Sequence, residues 1–163
     1  MEREIEEWLG KVNRKESDLS KEEDLSIGIM NLISLEEHFF FTAMKTQNQK
    51  YIDMLNSVRS LRKNLLKKIV IQPEGEEWCI SKHLLAASMR LMEVGTKELS
   101  KNNVKEANMF FQSAFDLYSL FFAINMKIID KEKLKQSVEE NKSIGIMQKF
   151  SNIIKKIIDC CKE

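Results

Sequence analysis

The chain has 163 residues, with 26 basic and 25 acidic side chains, so its formal net charge of +1 gives no global attraction to nucleic acid or an anionic membrane. Hydrophobic residues at 43% and charged residues at 31% fit one globular domain and exclude a disordered tail or a membrane-embedded chain. One proline and five glycines are too few for a sheet-and-turn protein, so an all-α fold of long helices is expected.

The opening residues, MEREIEEWLG, lack the basic-then-apolar order of a secretory signal. They read as a short amphipathic helix to about Val12, with Ile5, Trp8, Leu9 and Val12 at helical spacing. After a polar stretch, Ser20 stands three residues before Glu23, the spacing of a capping box, which predicts a helix starting near Lys21. Its apolar side is Leu25, Ile29, Leu32, Ile33, Phe40 and Met44, and Gln47-Asn48-Gln49 breaks it. Ile52, Leu55, Val58, Leu61, Leu65, Leu66 and Ile69 mark the next helix, which must stop before Pro73. Gln72-Pro-Glu-Gly-Glu76 is the clearest turn, with acidic residues suited to the start of a following helix.

A helix over 77–100 is predicted to bury Trp78, Leu84, Leu85, Leu91, Met92 and Leu99, and Lys101-Asn102-Asn103 ends it. Val104 to about Ile129 is the most apolar segment, and its wide aromatic stripe marks a central helix. Residues 130–142 are dense in charge, and Ile144 to Cys161 is again amphipathic, with isoleucines and Phe150 opposite lysines. The expected architecture is an antiparallel four-helix bundle over 21–129, with a short helix and linker over 1–20 and a helical extension over 130–163. Apolar runs of about five residues fall far short of the roughly 20 that a membrane span needs. Ser26-Ile-Gly-Ile-Met30 recurs at Ser143-Ile-Gly-Ile-Met147 between divergent flanks, which reads as coincidence.

Two regions could carry chemistry. Glu36, on the apolar stripe of its helix, is poorly placed for an unpaired carboxylate. His83 falls on the line of Ile80, Ala87, Leu91 and Val94, so Glu36 and His83 form a candidate buried polar pair, with Arg90 or Lys82 as other partners for the acid. Such a pair is how bundles build metal or acid–base sites, and a metal-dependent enzyme centred on it is one alternative reading. Neither histidine has a glutamate three positions before it, so the ferritin-like di-iron pattern is missing. The second region is a basic patch of Arg59, Arg62, Lys63, Lys67 and Lys68, able to contact phosphates but without interleaved aromatics for stacking on bases. No cofactor is implied. Cys79 beside Trp78 reads as packed core, and adjacent Cys160 and Cys161 suit neither a disulfide nor a metal site, so a reducing cytoplasm is the expected compartment.

Residues 88–121 resemble one tetratricopeptide repeat, with Leu91, Val94 and Gly95 on the first helix and Ala107, Phe111 and Ala114 on the second. The resemblance implies a close helical hairpin with Phe111 wedged into it. It departs from the family at Glu98, where an aromatic is usual, and at Ser119, where proline is usual. More broadly, Ser26 through Asn125 is similar to small all-helical proteins of prokaryotes, which implies a fold and no activity. The helical HEPN domains share the architecture, but no arginine lies within seven residues before either histidine, so their catalytic pairing is missing. The reading that remains is a non-enzymatic interaction or assembly module, self-associating as a homodimer through its terminal helices, with nucleic-acid association through residues 59–68 as the other binding alternative.

Overall fold

The structure, a computed structural model, describes residues 16–126 together with 151, 152 and 155. The described residues are all-helical, with four helices: α1 (Glu16–Thr46), α2 (Gln49–Leu66), α3 (Glu77–Ser100) and α4 (Val104–Asn125). The short amphipathic segment over 1–12 and the charged segment over 130–142 lie outside the described residues, as do Cys160 and Cys161.

α1 corrects one expectation. Ser20 is not its cap, because the helix already runs through Glu16–Ser20. The capping-box spacing is also the i,i+3 spacing of a helix interior, and Glu16 to Glu22 contains no glycine or proline to stop a turn from continuing upstream. The end of α1 is as expected. Gln47 takes a left-handed φ of 54° and its side chain donates to the Met44 carbonyl at 2.8 Å. Asn48 then caps α2 by accepting from the Lys50 amide at 3.0 Å.

α2 closes at Leu66 in a tightened turn, the amides of Lys68 and Ile69 reaching back three residues to Leu65 and Leu66. Ile69 and Val70, just past the helix, are buried in the core. The linker then turns through Gln72 and Gly75, both at positive φ, and the Glu77 carboxylate accepts from the Glu74 amide at 2.8 Å at the start of α3.

Contacts between helices define two antiparallel hairpins. In the first, Glu36 of α1 meets Arg62 of α2, while Phe39 lies beside Tyr51 nearer the turn. In the second, Ser81 pairs with Asn125, Ser88 donates to the Ala114 carbonyl at 2.8 Å, and Gly95 faces Phe111. The hairpins share one core: Ile29 and Met30 of α1, Leu66 with Ile69 and Val70, Leu84 and Leu85 of α3, and Tyr118, Phe121 and Phe122 of α4. Burial of these large side chains, each worth roughly 1.5–3 kcal/mol before ordering costs, holds the helices together.

The buried set differs from the expected stripes. Phe40 and Met44 of α1, Leu61 of α2, and Met92 and Leu99 of α3 are exposed, and so is Cys79. In their place the structure buries Arg62 and four serines of the helices, Ser26, Ser81, Ser88 and Ser119. Serine is small enough for close helix approach, and each of these hydroxyls has a hydrogen-bond partner. At the carboxy-terminal end, Ser151 is buried against Asp116, and Lys155 lies 5.4 Å from the Phe115 ring centroid and 3.3 Å from the Gln112 side-chain oxygen. At these positions the terminal segment therefore lies on α4 of its own chain; the rest of the terminal helices expected to mediate dimerisation is outside the described residues.

Candidate functional site

The second half of α1 carries Glu36, Glu37 and His38 in succession, and a helical step of about 100° per residue sends them in different directions. Glu36 turns toward α2. Arg62 Nε donates to its Oε1 at 2.7 Å and Nη2 to its Oε2 at 3.0 Å, a two-pronged pair with only 4% of the arginine side chain and 14% of the glutamate side chain exposed. Glu37 turns toward α3 and accepts from Arg90 Nη2, while Arg90 Nη1 holds Glu93 at 2.6 Å. Two consecutive glutamates thus tie α1 to a different helix each.

The candidate pair of Glu36 and His83 is corrected by this geometry. His83 is exposed, and its Nδ1 lies 2.6 Å from the Cys79 carbonyl of its own helix. The line of Ile80, His83 and Ala87 is the solvent side of α3, whereas Ser81, Leu84, Leu85 and Ser88 face the core. Sequence periodicity ranks Ile80 and Ala87 with the core because they are apolar, and a phase error of one residue moves His83 with them. Among the described residues no group of three or more His, Cys, Asp or Glu side chains is arranged to hold a metal ion.

The basic patch is corrected in one member. Arg62 belongs to the interior, paired with Glu36, and contributes nothing to a surface. Arg59, Lys63, Lys67 and Lys68 are exposed, the first three at i, i+4 and i+8 on one line. The same rotation that buries Arg62 exposes Leu61, which the apolar pattern assigns to the core.

Two features went unread in the sequence. The first is a buried link between the hairpins: Ser26 Oγ and Tyr118 Oη are 2.6 Å apart, and Ser26 donates to the Glu23 carbonyl. Burial pushes the Tyr118 phenol up to about 12, the Ser26 hydrogen bond opposes this, and the carboxylates of Glu23 and Asp24 reinforce it. The second is an exposed aromatic face at the end of α1. Phe40 is 46% exposed, Phe41 52% and Met44 49%, and the two phenyl rings meet edge to face with centroids 5.2 Å apart. Three phenylalanines in a row sweep about 200° of helix surface, so a helix with one contact side cannot bury all of them. That signal was available in the run Phe39-Phe40-Phe41.

Where the tetratricopeptide pattern fails, the structure supplies local reasons. Glu98 accepts from Lys101 Nζ at 2.7 Å and Asn103 Nδ2 at 3.1 Å, holding the turn around Asn102, and these hydrogen bonds lower its carboxyl below the usual value. Ser119 sits inside α4, donating to the Phe115 carbonyl at 2.8 Å, where a proline would break the helix. Comparison with known proteins gives no match to any family model, curated protein or solved structure.

Among the described residues no helix is long and apolar enough to cross a membrane. Every buried side-chain nitrogen and oxygen among them has a hydrogen-bond partner. The polar groups drawn inside are thus engaged in holding helices, while large apolar side chains stand exposed on the surface, the adjoining Phe40, Phe41 and Met44 of α1 among them.

Proposed function

We propose that this chain is a non-enzymatic interaction or assembly module of the cytoplasm, self-associating as a homodimer, its two hairpins closing as an antiparallel four-helix bundle. The observation that carries the reading is the half-exposed Phe40–Phe41–Met44 face on a well-formed helix. Three large side chains kept together in water raise the free energy of the isolated chain, and contiguous apolar patches of this kind mark association surfaces. Glu36, the acid expected to perform chemistry, supports the same reading, since its carboxylate is taken up by Arg62 of the neighbouring helix.

Light scattering across a wide concentration range tests it. The reading expects a mass that rises from monomer toward dimer, and a Phe40→Ser, Phe41→Ser double variant that stays monomeric with unchanged helical circular dichroism. A monomer mass for the native chain at every concentration would overturn it.

A second reading, association with nucleic acid, rests on the line of Arg59, Lys63 and Lys67, which make no ion pair with the described residues. Three phosphate contacts would give a log–log salt slope of about −3 on duplex DNA. Charge reversal at these three positions should abolish that binding, and Arg62 must be left in place because its loss would damage the core. Salt-independent or undetectable binding would remove this reading.

A further inference from the structure

The aromatic face of α1 has charged ends of opposite sign. Glu37, Phe41 and Lys45 follow one another at i, i+4 and i+8, one line along the helix, with Phe40 and Met44 filling the adjoining row. Glu37 has 45% of its side chain exposed, Phe41 is at the centre of the line, and Lys45 stands in the last turn without an ion pair among the described residues. We infer that a second copy of the chain occupies this face, the two α1 helices crossing antiparallel about a two-fold axis at Phe41, so that Glu37 of each protomer meets Lys45 of the other. The inference rests on the self-association reading and adds its surface, its direction and its symmetry.

Three features of the chain favour this occupant. An antiparallel crossing is self-complementary, as a two-fold interface must be, because the acid at one end of the line meets the base at the other. A parallel crossing would set Glu37 against Glu37 and Lys45 against Lys45, so the charge order selects the direction. Arg90 engages Glu37 through Oε2, and with 45% of the Glu37 side chain exposed its other carboxylate oxygen is left to meet Lys45 of the second copy. Half of two phenylalanines and a methionine is roughly 300 Å² per protomer, which would form the apolar centre of an interface of about 800 Å² per partner, with polar surface supplying the rim. The exposed apolar residues of α3 are more widely spaced, Ile80 standing more than three turns from Met92 and Met92 about two from Leu99.

Charge reversal separates this geometry from other modes of self-association. Sedimentation velocity on E37K alone and on K45E alone should show self-association weakened by roughly tenfold or more, because each places like charges at both ends of the interface. Mixing the two variants should restore a dimer that contains one copy of each, since every contact is then between opposite charges. Arg90→Gln, which removes the same contact within the chain but keeps Glu37, controls for its loss, and circular dichroism reports whether each variant keeps its helices. If E37K fails to fold, K45E and Glu37→Gln still decide the matter, both being expected to weaken the dimer, with K45E the more severe. A native chain that dimerises with no response to K45E or to Phe41→Ser overturns the α1 interface and leaves the self-association reading standing. A native chain that is monomeric throughout overturns both. Equal weakening of the mixture and its components overturns the Glu37–Lys45 pairing, whereas single variants that dimerise as well as the native chain, with a mixture tighter than it, overturn the antiparallel direction in favour of a parallel one.

Discussion

The two hairpins solve the same packing problem by opposite means. In α3–α4 the partners are small: Gly95 lies against Phe111 and the Ala107 backbone, Ser88 bonds to the Ala114 carbonyl, and Ala107 and Ala114 are buried. Small residues let the helix axes approach, and the contact is made along most of both helices. In α1–α2 the pair is held by a long-reach ion pair, Glu36 to Arg62, with Ala43 and Leu66 buried near it and large aromatics left partly outside. Both hairpins leave large apolar side chains exposed, Ile80, Met92, Leu99, Val104 and Met109 on α3–α4, but on α1 they include two phenylalanines in edge-to-face contact, Phe40 and Phe41. The proposed association face lies on α1–α2.

The sharpest way to break this contrast is to remove the arginine. Arg62→Met leaves the Glu36 carboxylate largely buried without its partner, and a destabilisation of about 3 kcal/mol or more in urea unfolding is expected. Replacing both members, Glu36→Leu with Arg62→Met, should recover most of that loss, because two apolar side chains can fill the volume without a desolvation penalty. A double variant no better than Arg62→Met would show that the pair contributes net stability beyond mutual neutralisation.

The link between hairpins gives a pH-dependent test. With its phenol raised from 10 to about 12, Tyr118 in the folded chain keeps a proton that the unfolded chain loses over that window. Stability from this residue is therefore complete below pH 10 and declines as pH rises toward 12, by on the order of 2 kcal/mol. Lysines titrate nearby, so the measurement is the difference between the native chain and Tyr118→Phe across the window. The variant should lose about 1 kcal/mol at neutral pH, where Ser26 keeps the Glu23 carbonyl but loses the phenol, and should lack the added alkaline slope. In a Tyr51→Phe background, phenolate absorbance follows Tyr118 directly.

Much of the architecture was legible because its signals are local. Pro73 and Gly75 before α3, and Lys101-Asn102-Asn103 after it, place both ends of that helix where periodicity and turn chemistry expect them. The failures come from rotation about the helix axis. Leu61 and Arg62 are neighbours 100° apart, and apolarity alone puts the leucine inside; only the need of Glu36 for a partner explains why the arginine enters instead. His83 was misread in the same way, and the buried serines were invisible because a hydroxyl between helices has no pattern distinct from one in water. Glu36 itself was correctly recognised as a carboxylate in need of a partner. Its partner was sought on α3, because Arg62 had been assigned to a basic surface patch.

The smallest effects sharpen the comparison by making one substitution in each hairpin. A methyl group built at Gly95 would stand 2.7 Å and 2.8 Å from Phe111 ring carbons and 3.2 Å from the Ala107 carbonyl oxygen, so Gly95→Ala must push the ring or spread α3 from α4. The gain in helix propensity, about 1 kcal/mol, offsets part of a repacking cost of roughly 1–3 kcal/mol, and a net loss near 1 kcal/mol is expected. At Gly28, exposed within α1, an added methyl meets nothing within 4 Å. Gly28→Ala should therefore raise stability by about 0.5–1 kcal/mol through backbone entropy alone. Thermal unfolding of the two variants should move in opposite directions. A stabilising Gly95→Ala would mean that Phe111 yields easily and that the α3–α4 hairpin is less tightly fitted than its small residues imply.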